Sequence, residues 1–376
     1  MPMGREFEIV SAEQPFRRGI LFQALGAPSS LTYTCCALIR AMADIVYGRH
    51  ALIQAVFVDD VKNGWAQLER AATTPIVLFS DCPSKGLVDL VVSTRLPFVV
   101  VVDDFEETAH QVMEARDMAL PEMLRFVTQA YCSLDAGRGD AALVVSAGDG
   151  RRGLREVMTR LAEHFGLDAP NETSARTLAA LGYPAGATDT LLDHVVASGL
   201  RVTSPASRAA RADAEAEAIV RLVASQYNGV GSGRGGRRIE WPTEMFLDWD
   251  RPGQFLRGPV EMLGPARFVV CGPYFHLPQG EWTAEVVIEI ADNRSGNRLG
   301  VDVFSGAILG GVVMALPASG VFTFSIPFGV ADAFLPVELR FQLLEGAIEG
   351  QLALRAAAFT RIAPAAGEVE ARAPAR

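Results

Sequence analysis

Apolar runs that alternate with helical patterns constrain the N-terminal half of this chain more than any other feature. Phe98–Val102 (FVVVV) is apolar at every position, which is typical of a strand buried on both faces of a sheet. Because helical patterns separate the runs, their order predicts a parallel sheet with right-handed crossovers. The other predicted strands are Gly19–Leu25, Ala51–Val58, Pro75–Phe79 and Ala141–Val145.

Short runs between turn signals predict an all-β half from Ile239 onward. Glu285–Glu289 (EVVIE) and Glu338–Gln342 (ELRFQ) alternate partly in polarity, and several short strands at near-regular spacing indicate a sandwich. The predicted fold class is therefore α/β plus all-β. It is a Rossmann-like parallel sheet with helices on both faces, followed by a C-terminal, jelly-roll-like β-sandwich.

The pattern divides the 376 residues into four segments. Residues 1–167 form the predicted α/β domain, and 239–362 form the predicted sandwich. Between them, 168–238 read as a helical connector that ends in the Gly/Arg-rich linker Gly229–Arg238, while the Ala/Pro/Glu-rich residues 363–376 read as a flexible tail. Two folded domains agree with the usual domain size of about 100–200 residues.

Charge and cysteine usage narrow the function classes. The net charge of −10 argues against a nucleic-acid partner, which needs clustered Lys and Arg. The N-terminus lacks an export-signal pattern, and no apolar stretch reaches the ~20 residues of a spanning helix. We therefore expect a cytoplasmic protein with reduced thiols at its five cysteines, Cys35, Cys36, Cys82, Cys132 and Cys271.

The segment Gly26–Thr34 (GAPSSLTYT) joins the first predicted strand to a helix. A helix N-terminus offers unpaired N–H groups and can hold a phosphate, with Ser30 and Thr32 as hydroxyl donors. It is not a Walker loop, because it lacks Gly-Lys-Ser/Thr. A simple helix cap and an anion site both remain open.

At Pro28, Ser30 and Thr32 this loop resembles that of sulfotransferases that use phosphoadenosine phosphosulfate. Two further segments are similar to that family: the strand and helix at Phe98–Met113, with Asp104 at the family's Asp, and Ala142–Leu167. The resemblance covers about residues 17–168. It implies a cofactor site formed by Gly26, Pro28, Ser29, Ser30, Thr32 and Asp104.

Other positions depart from the family pattern. The basic residue of the loop is Ser29 here, and the loop's Gly is Leu31. In the second motif, Asp103 replaces an Arg, Phe105 replaces a Pro and Gln111 replaces a Ser. That Arg and Ser would hold the 3′-phosphate of the cofactor, so the resemblance leaves open whether the protein is an active enzyme.

Carboxylates are concentrated at the carboxyl ends of the predicted parallel strands, where ligands of open sheets bind. The residues that follow strands there are Asp59, Asp60, Asp81, Asp103 and Asp104. They fit either helix caps, such as Asp104 with Glu107 and Asp81 before Pro83, or a Mg²⁺ site at Asp60, Asp81 and Asp103. We favour the caps and predict no metal.

Three residues are catalytic candidates. Lys62 and Lys85 follow the second and third strands and could replace the missing cation of the loop. His110 could serve as a general base, with a surface or core-edge histidine as the alternative.

In the second half, Cys271–Gly280 (CGPYFHLPQG) resembles a segment of sandwich modules appended to bacterial polysaccharide-modifying enzymes. The resemblance implies carbohydrate binding, for which aromatic faces and polar edges are suitable. The candidate residues are Trp241, Tyr274, Trp282, Asp292 and Asn293, with Trp249 and Phe275 as further aromatics. Packing of the aromatics in the core, and a hairpin loop at Asp292–Asn297, are the alternatives.

Three functional hypotheses follow from these resemblances. The first is a divergent sulfotransferase-like protein of bacterial surface or exopolysaccharide metabolism, which would transfer sulfate from phosphoadenosine phosphosulfate to a glycan hydroxyl. The second is a catalytically inactive protein that keeps the fold and binds either a glycan or another protein of the polysaccharide pathway. The third is a metal-assisted transferase with another donor.

Overall fold

The computed structural model describes residues 21–68, 75–138, 140–183, 189–197, 214–230 and 238–362. These residues divide into two compact units. The α/β unit contains the described residues up to Gln111 and those from Gly137 to Ala197. The sandwich unit contains Val112–Ala136 and the described residues from Ala214 onward. One helix that precedes the fifth strand groups with the sandwich unit, and the predicted bounds of the domains stay a prediction.

The α/β unit has a five-stranded sheet that is parallel throughout. Its strands are β1 Leu21–Gly26, β2 Ala51–Gln54, β3 Ile76–Ser80, β4 Phe98–Val102 and β5 Ala142–Ser146, in the order β2-β3-β1-β4-β5. The predicted α/β class is therefore confirmed. All five residues of β4 are buried, as its apolar sequence predicts.

Helices follow each strand of this unit. They are α1 Ser30–Tyr47, α2 Val58–Gln67, α3 Lys85–Thr94, α4 Phe105–Arg116, α6 Leu154–His164, α7 Pro170–Ala180 and α8 Leu191–Ala197. The second strand is shorter than the predicted Ala51–Val58, because Val58 begins α2. The Asp60 carboxylate accepts the N–H groups of Val56 and Phe57 there, which ends the strand and caps the helix.

The sandwich unit contains the end of α4 from Val112 onward, the helix α5 Leu120–Ala136 and the helix α9 Ala214–Tyr227. Its strands are β6 Arg238–Trp241, β7 Leu247–Asp248, β8 Val260–Glu261, β9 Arg267–Cys271, β10 Pro273–Phe275, β11 Gly280–Ala291, β12 Arg298–Phe304, β13 Ile308–Ala315, β14 Gly320–Val330, β15 Val337–Leu343 and β16 Gln351–Arg361. Two antiparallel sheets result, ordered β13-β12-β15-β9-β7 and β14-β11-β16-β6.

Alternation along the strands builds the core between these sheets. Every second residue of β15 is buried, from Val337 to Leu343, and the residues between them are partly exposed. Trp282, Phe341 and Phe359 are fully buried and are among the largest side chains of the core. The predicted β-sandwich is therefore confirmed.

The turn at Asp292–Asn297 is not the predicted hairpin. It connects β11 to β12, and these strands lie in different sheets. Asn293 is buried there, and its amide nitrogen donates to the carbonyls of Leu316 and Pro317. Its Oδ1 accepts from the side chain of Asn297 at 2.6 Å, so the polar residues of this turn hold the connection between sheets.

Several other expectations concern the connector, the tail and the thiols. Helix α9 lies within the predicted helical connector 168–238. Residues 231–237 of the linker and the tail 363–376 lie outside the described residues. The five cysteines are free thiols, and Cys82 is the one that is partly exposed. Within the described ranges, none of the helices has the length and apolar character needed to cross a membrane.

Candidate functional site

The loop between β1 and α1 lies at the switch point of the parallel sheet. Strands β1 and β4 are neighbours, with Gly26 opposite Val101, while β2 and β3 lie on the other side of β1. Ligands of open α/β sheets bind where the strand order reverses, at the carboxyl ends of the strands. The topology therefore brings the predicted cofactor loop and the residues after β4 to the position of a ligand site.

Ser29 caps α1 in this loop. Its hydroxyl oxygen accepts the N–H of Thr32 at 3.1 Å, and its backbone carbonyl accepts the N–H of Tyr33 at 3.1 Å. The hydroxyl also lies 3.0 Å from Oγ1 of Thr32. Both side chains are buried, so the hydroxyls that the resemblance assigns to a cofactor contact each other in this structure.

Asp103 supplies a carboxylate to the same helix end. Its Oδ2 accepts the N–H of Leu31 at 3.2 Å, and its Oδ1 accepts the N–H of Asp104 at 2.8 Å. Burial raises the pKa of Asp103, and nearby Glu107 raises it further, while hydrogen bonds from Asp104, Leu31 and Ser29 oppose the shift. An internal carboxylate therefore satisfies an N–H group that an anion would otherwise bind.

Gln111 makes a second contact with the loop. The Ser30 hydroxyl donates to its Oε1 at 3.1 Å. Thus Asp103 and Gln111, which replace the family's Arg and Ser, both hydrogen-bond to the loop itself. Leu31, which replaces the family's Gly, is the residue whose N–H contacts Asp103.

Gly26 is required by the close approach of Thr32. A Cβ at Gly26 would lie 2.5 Å from Oγ1 and Cγ2 of Thr32, and the Thr32 side chain is itself buried. We expect Gly26→Ala to lower the free energy of unfolding by about 1–2 kcal/mol through overpacking. Urea unfolding would measure this loss. Gly153→Ala is the control, because a Cβ there meets nothing within 4 Å, and an equal loss in both variants would contradict the prediction.

The acidic residues after the strands accept hydrogen bonds from other groups of the α/β unit. Asp104 accepts the N–H groups of Glu106 and Glu107 and caps α4, in agreement with the sequence interpretation. Asp81 does not cap a helix as predicted, because Ser84 caps α3 and Asp81 accepts the hydroxyl of Tyr33 at 2.7 Å. Among the described residues, the ligand atoms of the suggested magnesium set, Asp60, Asp81 and Asp103, do not converge within 4.8 Å.

The two candidate lysines pair with acids of their own helices. Lys62 lies 2.7 Å from Asp59 on α2, and Lys85 lies 3.0 Å from Asp89 on α3. Both are exposed, so these are surface ion pairs of neighbouring helix turns. His110 is buried on α4, one position before Gln111. A catalytic role for these three residues stays a prediction.

Two of the predicted sugar-binding aromatics lie inside the sandwich core. The ring centroids of Trp241 and Phe359 lie 4.0 Å apart with the ring planes tilted by 41°, and the indole N–H of Trp241 donates to the hydroxyl of Tyr227. Trp282 is fully buried, and its indole N–H donates to the carbonyl of Pro278 at 2.9 Å. Neither ring presents a face to solvent, so the alternative of core packing describes them.

Tyr274 is partly exposed and Asp292 is exposed. Arg125 of α5 lies over the Tyr274 ring at 4.9 Å and donates to the carbonyl of Pro273. The Tyr274 hydroxyl also contacts Glu338 of β15. Asp292 has a φ of 54° and uses its backbone N–H to donate to Ser319, at the connection between sheets described above.

A different set of side chains forms an aromatic and charged surface on the outer side of the sheet that contains β15. The guanidinium of Arg340 lies 3.9 Å from the ring centroid of Phe304 and 5.2 Å from that of Phe268. Its Nε donates to Asp302 at 2.8 Å. The ring of Trp249, which is 45% exposed, lies 5.0 Å from Phe268. We call these five residues the Arg340 face.

The charged groups at and beside the Arg340 face are paired with one another. Arg340 is paired with Asp302, and Glu338 is opposite Phe304 in the strand register. Burial raises the pKa of Glu338, while Arg340, Tyr274 and Arg125 oppose the shift. The side chains of Asp302 and Arg340 are 18% and 16% exposed, so their polar atoms are largely fixed before any ligand arrives.

The sequence contained a signal for this surface. In ELRFQ, Arg340 alternates with the same spacing as Glu338 and Gln342, so the three side chains lie on one face of the strand, and their polarity predicts the outer face. Trp249 was already among the further aromatics of the sequence analysis. The same alternation places Trp282 on the other face of its strand from Glu285 and Glu289, so it predicts that Trp282 faces the core. The pairing of Phe268 and Phe304 around Arg340 had no local signal, because it depends on the order of the strands.

Comparisons with known proteins identify similar solved structures in two groups. The N-terminal part is similar to mouse sulfotransferase SULT7A1 complexed with PAP, at 12% identity and a TM-score of 0.33 over 56% of this chain and 89% of that one. The C-terminal part is similar to the xylan-binding module CBM15, at 12% identity and a TM-score of 0.24 over 35% of this chain and 100% of the module.

A further similar structure is the C-terminal CBM6 of LamC, a laminarinase from Zobellia galactanivorans. It is 14% identical, with a TM-score of 0.20 over 33% of this chain and 89% of that one. No family model matches the sequence, and no curated protein matches it. Because these TM-scores are low, function has to be inferred from the residues of the chain.

The loop residues do not fit the phosphosulfate cofactor that the resemblance implies. The N–H of Leu31 and the hydroxyls of Ser29 and Ser30 already have partners within the chain. The carboxylate of Asp103 contacts the loop at Leu31 and would repel a polyanion. We therefore derive no transfer step at this loop.

Proposed function

We propose that this protein binds a neutral polysaccharide through the Arg340 face, and that its α/β unit has a sulfotransferase-like fold without the transfer activity. The observation that carries the proposal is the stack in which Arg340 lies between Phe304 and Phe268, with exposed Trp249 beside them. Partly exposed rings beside fixed polar groups suit a ligand that has apolar ring faces and hydroxyl edges.

The choice of a neutral ligand follows from charge. Arg340 is paired with Asp302, and Glu338 interacts with Arg125, so these groups offer an anionic polymer no net positive charge. The whole chain carries a net charge of −10. Sulfated or uronic polymers would be repelled by this field, so hydroxyl-rich neutral polymers fit better. This proposal is the second of the sequence hypotheses, the catalytically inactive binding protein. It specifies a neutral polysaccharide as the ligand, and it places the contacts at the Arg340 face instead of at the residues predicted from the sequence.

The test is binding of soluble polysaccharides to the full chain, measured by isothermal titration calorimetry. The panel contains neutral xylan and mixed-linkage β-glucan, with sulfated carrageenan as the charged comparison. We expect saturable binding of a neutral polymer and at least about tenfold weaker binding by Trp249→Ala, which corresponds to about 1.4 kcal/mol. Carrageenan should bind more weakly than the neutral polymers.

Trp65→Ala provides a matched control. Trp65 is a tryptophan of similar exposure, 42%, on helix α2 of the α/β unit. Its replacement should leave binding unchanged. Equal losses in both variants, full binding by Trp249→Ala, or preference for carrageenan would each contradict the proposal.

A further inference from the structure

We infer that the carboxylate of Asp103 is a built-in substitute for a bound oxyanion, which closes the β1–α1 loop to a nucleotide cofactor. The inference is independent of glycan binding, because it concerns the α/β unit alone. It starts from the disagreement between the resemblance, which implies a phosphosulfate at this loop, and the contacts that the loop makes.

The position of Asp103 supports this inference. The residue directly follows β4, whose Val101 is opposite Gly26 of β1, so its carboxylate reaches the crevice where an open parallel sheet holds its ligand. Its Oδ2 accepts the N–H of Leu31, the second residue of α1. An oxygen atom of a phosphate or sulfate would make the same bond to the same donor.

The neighbouring contacts close the loop further. Ser29 is buried and caps α1 through the N–H of Thr32, while the Ser30 hydroxyl is held by Gln111. The Leu31 side chain is buried beside them. A ligand would have to displace the carboxylate and break these bonds, and it would bring at least one more negative charge close to Asp103 and Glu107.

A carboxylate has two advantages over a ligand as a permanent partner of this helix end. It is covalently part of the chain, so no translational entropy is lost when the bond forms. A negative charge also interacts favourably with the N-terminal end of a helix dipole. Asp103 therefore stabilises α1 without a cofactor, which explains how the fold can be retained without transfer activity.

The first experiment is calorimetric titration of the full chain with adenosine 3′,5′-bisphosphate. We expect no heat of binding up to about 1 mM ligand, which corresponds to a binding free energy weaker than about 4 kcal/mol. Micromolar binding by the wild-type chain would overturn the inference directly. This measurement needs no variant and is decided even if substitutions at position 103 impair folding.

The second experiment opens the site by Asp103→Ala. Melting temperatures are measured in sodium sulfate and in sodium chloride of equal ionic strength, because sulfate also stabilises proteins in general. The sulfate-specific rise is the melting temperature in sulfate minus that in chloride. If Asp103 substitutes for an oxyanion, this rise in Asp103→Ala should exceed that of the wild type by about 3 °C or more.

Asp60→Ala is the matched control for this measurement. It also removes a capping carboxylate, from α2 of the same unit, and Asp60 lies outside the β1–α1 loop. The sulfate-specific rise of this variant should equal that of the wild type. If Asp103→Ala gains no more from sulfate than Asp60→Ala, then Asp103 is an ordinary helix cap and the inference is wrong.

Discussion

Replacing Trp282 by Ala is expected to lower the free energy of unfolding by about 3–5 kcal/mol. Trp282 is fully buried in β11, where it lies opposite Phe328 of β14 and Arg361 of β16. The substitution removes the largest fully buried side chain and leaves the carbonyl of Pro278 without the indole N–H that it accepts. Both the cavity and the unpaired carbonyl contribute to the loss.

Urea unfolding followed by circular dichroism measures this effect, with Trp249→Ala as the matched control. Trp249 is 45% exposed, so its replacement should cost less than about 1 kcal/mol. The loss of unfolding free energy in Trp282→Phe should lie between those of Trp282→Ala and Trp249→Ala, and this variant should keep the polysaccharide affinity of the wild type. A stable Trp282→Ala variant that loses only polysaccharide binding would instead support the original assignment of Trp282 to a sugar site.

Replacing Asp149 by Asn is expected to lower the free energy of unfolding by about 3 kcal/mol. Asp149 is buried in the turn between β5 and α6, and its Oδ2 accepts the N–H and hydroxyl of Ser146. Its Oδ1 accepts from Arg152 at 2.7 Å and from Arg160 at 3.2 Å. An amide at this position has one acceptor oxygen and directs a donor toward these donors.

The loss should depend on pH, because the carboxylate form is favoured in the folded state. Burial by itself would raise the pKa of Asp149, but the hydrogen bonds of Ser146 and Arg152, together with Arg160, outweigh it and lower the pKa from its ordinary value of 3.8. A lowered pKa gives stability that is present above the unfolded-state value and is lost as pH falls through the folded-state value.

The measurement compares unfolding free energies of the wild type and Asp149→Asn from pH 7 to pH 3. The difference should stay constant at neutral pH and shrink as the pH falls below about 4. Glu156→Gln is the control, because Glu156 also pairs with Arg152 but on the surface, and it should cost less than about 1 kcal/mol. A pH-independent difference would show that charge at Asp149 does not matter.

Local sequence patterns predicted the secondary structure well where one signal dominated. Phe98–Val102 is a strand at the predicted residues, and the alternating segments Glu285–Glu289 and Glu338–Gln342 lie within β11 and β15. Asp104 caps a helix as its position before α4 indicates. These elements depend on interactions within a few residues of each other, which is why the sequence alone is sufficient.

The sequence prediction of an element was wrong where strand and helix signals overlapped, or where the outcome depended on a pairing partner distant in the sequence. Val58 follows an apolar run but begins a helix, because the Asp60 carboxylate takes the N–H groups that would extend the strand. The polar turn after Ala291 reads as a hairpin, yet it joins two sheets. The choice between these outcomes depends on which strands pair, and that is a long-range property.

The sequence by itself determined that the chain contains an α/β part and a β-sandwich, and that the basic residues of the sulfotransferase motifs it resembles are absent. Only the tertiary structure decided what replaces them. Asp103 and Leu31 are 72 positions apart, and they meet because β1 and β4 are neighbours in the sheet. The Arg340 face has the same origin, since residues of β9, β12 and β15 come together only when those strands pair. Contacts between distant residues depend on the whole fold, so no local pattern records them.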